Sequence, residues 1–114
     1  MNGFRFAAPR VFAAAVLATA ASGVSAQGLD AKSANALMDN YYCSECHAVD
    51  KKMIGPALRD VAKKYAGDAS APNALAMRVR QGGQGNWGKM AMPANDEIPD
   101  PELAALIAWI LALR

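Results

Sequence analysis

Potential metal ligands are scarce in this sequence, which has a single histidine, His47, and only two cysteines, Cys43 and Cys46. A structural zinc site takes four cysteine or histidine ligands, so these three side chains cannot surround one ion without help. A thioredoxin-like redox pair needs a βαβ context, and no stretch of this chain has the pattern of a strand. A disulfide between the two cysteines would close a very small, strained loop. The sequence therefore disfavours a zinc site, a thioredoxin-like redox pair and a disulfide as the use of Cys43, Cys46 and His47.

A long apolar run is also missing. The apolar stretch at 11–21 is rich in alanine and shorter than the roughly 20 residues that cross a bilayer. It follows two arginines and leads to Val24-Ser25-Ala26, a small-x-small sequence. These features predict a secretory signal peptide over residues 1–26, cleaved after Ala26, followed by one domain over 27–114. We expect no membrane insertion of the mature protein.

Without the predicted signal peptide, the chain has no excess of positive or negative charge. Two of the 12 basic residues and none of the 10 acidic residues lie in the predicted signal, so the mature chain would be formally neutral. A neutral protein binds nucleic acids and membrane surfaces poorly, and we expect neither partner. Export indicates the bacterial periplasm as the compartment. A monomer is the default expectation for a domain of this size.

The three scarce side chains stand together in Cys43-Ser44-Glu45-Cys46-His47, the C-x-x-C-H sequence that attaches a c-type haem. Two thiols three positions apart can form thioethers with the vinyl groups of one porphyrin, and the adjacent imidazole can bind the iron. The sequence therefore predicts one covalent haem c, attached through Cys43 and Cys46, with His47 as an axial ligand. Thioether formation takes place outside the cytoplasm, which agrees with export. No second histidine is available for the other axial position.

Helical periodicity predicts an all-α fold of about four helices around this haem. The predicted helices run from about 29 to 42, 56 to 66, 71 to 82 and 101 to 114. Asp30 can cap the first helix, and Leu75, Met77 and Val79 are the apolar positions of the third. The stretch 81–99 has four glycines and two prolines, so it is predicted to be a long ordered loop with a functional role.

The predicted mature chain offers five methionines for the second axial position: Met38, Met53, Met77, Met90 and Met92. Met38 and Met77 lie on predicted helix faces, where methionine usually fills the core. Met53 follows His47 too closely to reach the opposite face of the haem. Met90 and Met92 lie in the long loop and can reach it. Because Met92 precedes Pro93, which stiffens the backbone, spacing favours Met92 but leaves Met90 open.

The order and spacing of these segments resemble the small bacterial class I cytochromes of the cytochrome c-551 type, over nearly all of the predicted mature chain. The matching segments are Cys43-x-x-Cys46-His47-Ala48, Lys52-Met53-Ile54-Gly55-Pro56-Ala57, Gln84-Gly85-Asn86-Trp87-Gly88 and Met92-Pro93-Ala94-Asn95. The resemblance implies a small class I cytochrome c fold. It also implies that Met92, rather than Met90, is the second axial ligand.

The same resemblance implies roles for four supporting residues. The carbonyl of Pro56 would orient the imidazole, and Asn95 would hydrogen-bond near the ligand sulfur. Arg78 and Trp87 would contact a haem propionate. Considered without the resemblance, Trp87 could be an ordinary core residue, Arg78 a solvated charge like Arg80, and Asn95 a turn residue.

A methionine and a histidine are strong iron ligands in both oxidation states, so the iron would change its geometry little on electron transfer. With no coordination position left for oxygen or peroxide, we expect a one-electron carrier and not an enzyme. A haem enzyme or gas sensor with a labile sixth ligand is the alternative, and a purely structural haem is a third class. The resemblance implies transient redox partners: a quinol-oxidising complex as donor, and a terminal oxidase or a reductase such as nitrite reductase as acceptor.

Electrons would pass through an exposed haem edge near the thioethers. The candidate docking patch is apolar and small, as transient redox interfaces are; its residues are Ile54, Met90, Ala91 and Pro93. Three lysines adjoin it in sequence and could steer a partner weakly: Lys51, Lys52 and Lys89.

Overall fold

The computed structural model of the chain describes Gly3, residues 7–9 and residues 28–113. Almost all of the predicted signal peptide, residues 1–26, lies outside the described residues, so its export role and its cleavage stay predictions. Within 28–113, no helix is both long enough and apolar enough to pass through a lipid bilayer.

Four α-helices and one short 3₁₀ turn make up the regular structure of residues 28–113. They are α1 (Ala31–Asn40), the 3₁₀ turn (Cys43–Glu45), α2 (Leu58–Lys64), α3 (Ala71–Gln81) and α4 (Asp100–Leu111). Each helix coincides with a segment predicted to be helical to within a few residues at its ends, and the all-α fold is confirmed. In the described part of the chain, β pairing is limited to one antiparallel bridge between Gly83 and Met92.

Local chemistry sets the helix starts. The carboxylate of Asp30 accepts a hydrogen bond from the Ser33 amide at 2.7 Å, so it caps α1 as predicted. Helices α3 and α4 each have a proline in the first turn, Pro72 and Pro101, where a missing amide hydrogen costs no helical bond. Gly67, in the left-handed region at φ 76°, follows the end of α2.

The Asp30 cap makes the stability of α1 depend on pH. Hydrogen bonds from the Ser33 backbone amide and hydroxyl lower the pKa of Asp30 below its ordinary value of 3.8. Since the folded pKa is depressed, this stabilisation is complete above about pH 3.8 and is lost as the pH falls through the folded pKa. We expect Asp30→Ala to unfold at lower denaturant concentration at neutral pH, and the difference from the wild type to shrink below about pH 3.8.

Guanidinium unfolding at pH 7 and pH 3 measures this effect. Asp30→Asn is the matched control, because it keeps a side-chain acceptor at the cap and removes the titrating group. A difference between wild type and Asp30→Ala that stays constant across this pH range would contradict the prediction.

Helix α4 is the centre of the packing, since α1, α2 and α3 all contact it. The buried cluster comprises Ala34, Met38, Leu58, Ile98, Leu103, Leu106 and Ile107. All of these except Ala34 also line one apolar cleft. The buried residues therefore surround the cleft as well as packing against each other. This arrangement suits a small domain whose core includes a large apolar group.

Methionine at two helical positions was predicted to fill the core. Met38 on α1 does so at 3% exposure, but Met77 on α3 is 58% exposed, so the prediction for Met77 was wrong. The reason is helical geometry: at 3.6 residues per turn, Leu75 and Val79 share a face, and Met77 lies between them on the opposite side. Leu75 and Val79 pack against the core as expected.

Candidate haem site

A cleft bounded by α2, α3, α4 and the loop 83–95 holds the residues singled out by the sequence. It contains about 1280 Å³ of empty space, part of which is open to solvent. Cys43, Cys46 and His47 line it together with Met90 and Met92. Most of the remaining lining comes from aliphatic side chains of α2, α3 and α4 and from the segments 54–56 and 83–95.

The two cysteines are presented by a tight turn at the end of α1. Tyr42, at φ 62°, is the one non-glycine residue in the left-handed region within the described chain, and it redirects the backbone into the 3₁₀ turn. The amides of Cys46 and His47 both donate to the Cys43 carbonyl, at 3.1 and 2.9 Å. Both thiols are free, and burial raises the pKa of the Cys43 thiol. The two sulfurs are thus available at one wall of the cleft.

The imidazole of His47 is held in one orientation. Its Nδ1 lies 2.8 Å from the Pro56 carbonyl oxygen, and because a carbonyl can only accept, Nδ1 carries the hydrogen. The lone pair of Nε2 is left for a metal. Gly55 makes the contact possible, since a Cβ atom there would lie 2.6 Å from His47 Cε1. The Pro56 carbonyl therefore contacts the imidazole, and Gly55, which was named from the sequence only as part of a matching segment, leaves room for this contact.

Met92 and Met90 both line the cleft, but they differ in how they are held. The amide of Gly83 donates to the Met92 carbonyl at 2.9 Å, and the Met92 amide donates to the Gly83 carbonyl at 2.8 Å. Met92 is half-buried, whereas Met90 is 71% exposed and lies outside this pairing. The backbone of Met92 is therefore held at the base of the loop, and the backbone of Met90 is not held by this bridge.

The two arginines of α3 take different directions. Arg78 lines the cleft and donates through Nη1 to the Gly82 carbonyl at 3.1 Å. Arg80 donates to the Asn95 carbonyl at 3.4 Å and pairs with Asp100 at 2.5 Å. Arg78 is thus the arginine available to an acidic group in the cleft, a distinction that sequence spacing did not make.

Trp87 also lines the cleft and is 41% exposed, so it is not an ordinary core residue. Its ring lies 4.6 Å from the Nζ of Lys64, measured to the ring centroid. Lys64 was not singled out by sequence reasoning, because α2 and the loop that carries Trp87 are brought together only by the fold.

Asn95 lines the cleft and joins three segments. Its Nδ2 donates to the Tyr41 carbonyl at 3.2 Å, and its Oδ1 accepts from the amides of Glu97 and Ile98 at 3.1 and 3.4 Å. A bond to the Met92 sulfur is not among those made within the described residues. Tyr41, also missed by sequence reasoning, in turn donates from its hydroxyl to Glu102 at 2.9 Å.

These donors fit a haem c. Two thiols and an imidazole with a free Nε2 lone pair stand on one wall of an apolar cleft, and a thioether sulfur lines the same cleft. That is the donor set of a covalently attached haem with nitrogen and sulfur ligation. The fold and the site together define a small all-α haem c protein.

Comparison with known proteins agrees with this definition. The family model for cytochrome c matches residues 31–114, and relatives of the c-551 type match most of the same region. The chain belongs to the cytochrome c family, as a small class I cytochrome of the c-551 type. With the spacing of Cys43 and Cys46, this membership means that the chain carries covalent haem c and takes part in electron transport.

Several relatives illustrate the similarity. Cytochrome c-551 of Allochromatium vinosum is 48% identical over 71 residues, which cover 62% of this chain and 76% of that protein. Cytochrome c-551 of Pseudomonas aeruginosa is 44% identical over 84 residues, covering 74% of this chain and 80% of that protein. The crystal structure of Nitrosomonas europaea cytochrome c552 superposes with a TM-score of 0.67 at 40% identity, covering 70% of this chain and 99% of that one.

Proposed function

We propose that this protein is a periplasmic one-electron carrier in which His47 and Met92 are the axial ligands of the haem iron. It would accept electrons from a quinol-oxidising complex and pass them to a terminal oxidase or a reductase such as nitrite reductase. One observation carries the proposal: an imidazole oriented by the Pro56 carbonyl and a methionine paired through its backbone with Gly83 line the same apolar cleft.

The haem supplies a one-electron ferric–ferrous couple, and the protein residues set its energetics. A thioether sulfur from Met92 favours the ferrous state and raises the reduction potential relative to two nitrogen ligands. The apolar lining acts in the same direction, because the ferric centre carries one more positive charge and is costlier to remove from water. Arg78 and Trp87, both at the cleft, would moderate the opposing charge of the propionates.

A carrier needs both axial positions filled in both oxidation states. The paired hydrogen bonds between Gly83 and Met92 hold the loop backbone, which supports a ligand that stays in place. A haem enzyme or gas sensor would need this methionine to leave the iron. We therefore favour a carrier without catalytic activity of its own, present as a monomer, exported through the signal peptide predicted at 1–26.

Absorption spectroscopy of the purified holoprotein tests the proposal. The oxidised form should show a sulfur-to-iron charge-transfer band, and the reduced form should not change on addition of carbon monoxide. A missing band together with carbon monoxide binding would indicate an open sixth position on the iron. The protein would then belong to the haem enzymes or gas sensors and not to the electron carriers.

The candidate docking patch lies at the mouth of the cleft, and its members are exposed: Ile54, Met90, Ala91 and Pro93. The neighbouring lysines are exposed as well: Lys51, Lys52 and Lys89. After the predicted signal, basic residues are concentrated between 51 and 89 and acidic residues lie mainly outside this range. Because Lys51, Lys52 and Lys89 adjoin the patch in sequence, they support weak steering of an acidic partner surface even though the net charge is balanced.

Replacing Ile54 by glutamate should slow electron transfer to the physiological partner about tenfold, because a carboxylate would be buried in an apolar interface without a partner charge. The reduction potential should stay within error of the wild type. Stopped-flow transfer rates and a redox titration measure the two quantities.

Met77→Glu is the matched control. Met77 is 58% exposed and Ile54 is 57% exposed, but Met77 lies on α3 beside α4 and does not line the haem cleft. Equal rates for Ile54→Glu and Met77→Glu would show that the partner docks elsewhere.

A further inference from the structure

Lys64, the last residue of α2, reaches across to the loop that carries Trp87. Its Nζ donates to the Asn86 carbonyl at 3.0 Å and lies 4.6 Å from the centroid of the Trp87 ring. The adjacent Lys63 instead faces Asp60, with its Nζ 3.9 Å from the carboxylate. One of two neighbouring lysines is therefore committed to the wall of the haem cleft.

The loop between Gly83 and Met92 is otherwise held at its base. The Gly83–Met92 bridge closes the base, and one hydrogen bond from the Gly85 amide to the Gly88 carbonyl, 2.9 Å long, closes the tip. Glycine is frequent in this segment, so the chain itself does not restrict the tip. Among the hydrogen bonds and ring contacts of the described residues, those of Lys64 connect the tip to a helix.

The indole N–H of Trp87 has no hydrogen-bond partner within the described residues, although its ring lines the cleft. A cation over the face of an indole is attracted by the ring quadrupole. The same cation draws electron density from the ring, which makes the N–H a stronger donor to an anionic acceptor. A carboxylate at the cleft would be such an acceptor.

We propose that Lys64 is a positioning residue for the haem: it holds the Trp87 indole against the cleft and strengthens its N–H as a donor to a haem propionate. This inference rests on the proposed function, since it requires a haem in the cleft. Lys64 acts through Trp87 and does not contact the iron ligands.

Hydrogen exchange of the indole N–H, followed by NMR in the reduced holoprotein, tests the proposal. In Lys64→Met the Trp87 indole proton should exchange about tenfold faster than in the wild type, since one cation–π contact and one hydrogen bond are lost. The chain has one other tryptophan, Trp109 on α4, whose indole proton should be unaffected and serves as an internal reference.

Two further variants separate positioning from loss of charge. Lys63→Met removes the same charge from the adjacent position and should leave Trp87 exchange unchanged. Lys64→Arg keeps a cation and a donor and should restore slow exchange. An unchanged Trp87 rate in Lys64→Met, or equal acceleration in Lys63→Met, would overturn the role of Lys64. The sulfur-to-iron charge-transfer band tests the proposed function separately. If the band is present and the Trp87 exchange rate is unchanged in Lys64→Met, the role of Lys64 is wrong but the proposed function stands.

Discussion

Replacing Met92 by alanine is expected to abolish the sulfur-to-iron charge-transfer band of the oxidised protein and to lower the reduction potential on the order of 0.1–0.3 V. Alanine cannot donate to iron, and the ferrous state loses the soft ligand that favours it. The sixth position would then be open, so the reduced variant should bind carbon monoxide. Absorption spectra and a redox titration of the holoprotein measure all three effects.

Met90→Ala is the control, because Met90 lines the same cleft and lies only two positions away. It is 71% exposed and takes no part in the bridge with Gly83, so its removal should leave the band in place and the potential nearly unchanged. If the band is lost in Met90→Ala and kept in Met92→Ala, the second axial ligand is Met90 and not Met92. A band kept in both single variants would mean that neither methionine is required by itself, and its persistence in the double variant Met90→Ala/Met92→Ala would exclude methionine ligation from this loop.

Gly82→Ala is expected to reduce the free energy of unfolding by about 3–4 kcal/mol, from left-handed backbone strain and steric overlap together. Gly82 is buried at the end of α3 with φ 66°, and a Cβ atom there would overlap the Met92 carbonyl oxygen and approach the Ala94 nitrogen to 2.7 Å. Both contacts are with backbone atoms, which cannot turn away as a side chain can. The loop that carries the proposed sulfur ligand would have to move.

Gly67→Ala is the comparison variant, at a glycine with positive φ and no close contact. Gly67 has a similar φ of 76° but no atom within 4 Å of the position of a Cβ. Its replacement should cost about 1 kcal/mol, from the strain of a positive φ without any steric overlap. Guanidinium unfolding compares the two variants, and the charge-transfer band shows whether Met92 has been displaced. Equal destabilisation by both substitutions would mean that the loop adapts freely.

The helices were predictable from sequence because each depends on nearby residues. Periodicity located all four, with ends within a few residues of the observed ones, and Asp30 was recognised as a cap from its position alone. Met77 was wrongly predicted to be buried because the prediction considered that the residue is apolar and did not consider its position around the helix axis. A helical-wheel argument would have separated Met77 from Leu75 and Val79.

The supporting residues of the site were predictable only in part. The Pro56 carbonyl contacts the imidazole and Arg78 lines the cleft, while the propionate contacts implied for Arg78 and Trp87 stay predictions. The side chain of Asn95 hydrogen-bonds to the Tyr41 carbonyl, 54 positions earlier, a partner that no local pattern could name. The same holds for Lys64 and Trp87, which belong to different segments of the chain.

The sequence by itself determined the attachment of a haem, since Cys43, Cys46 and His47 are contiguous and their chemistry depends on spacing along the chain. It also determined the class of the fold, because helical periodicity is local. The tertiary structure alone decided how Met92 is held, through its backbone pairing with Gly83, and that Lys64 lies over the Trp87 ring. Those contacts join residues that only the packing of α2, α3 and the long loop brings together.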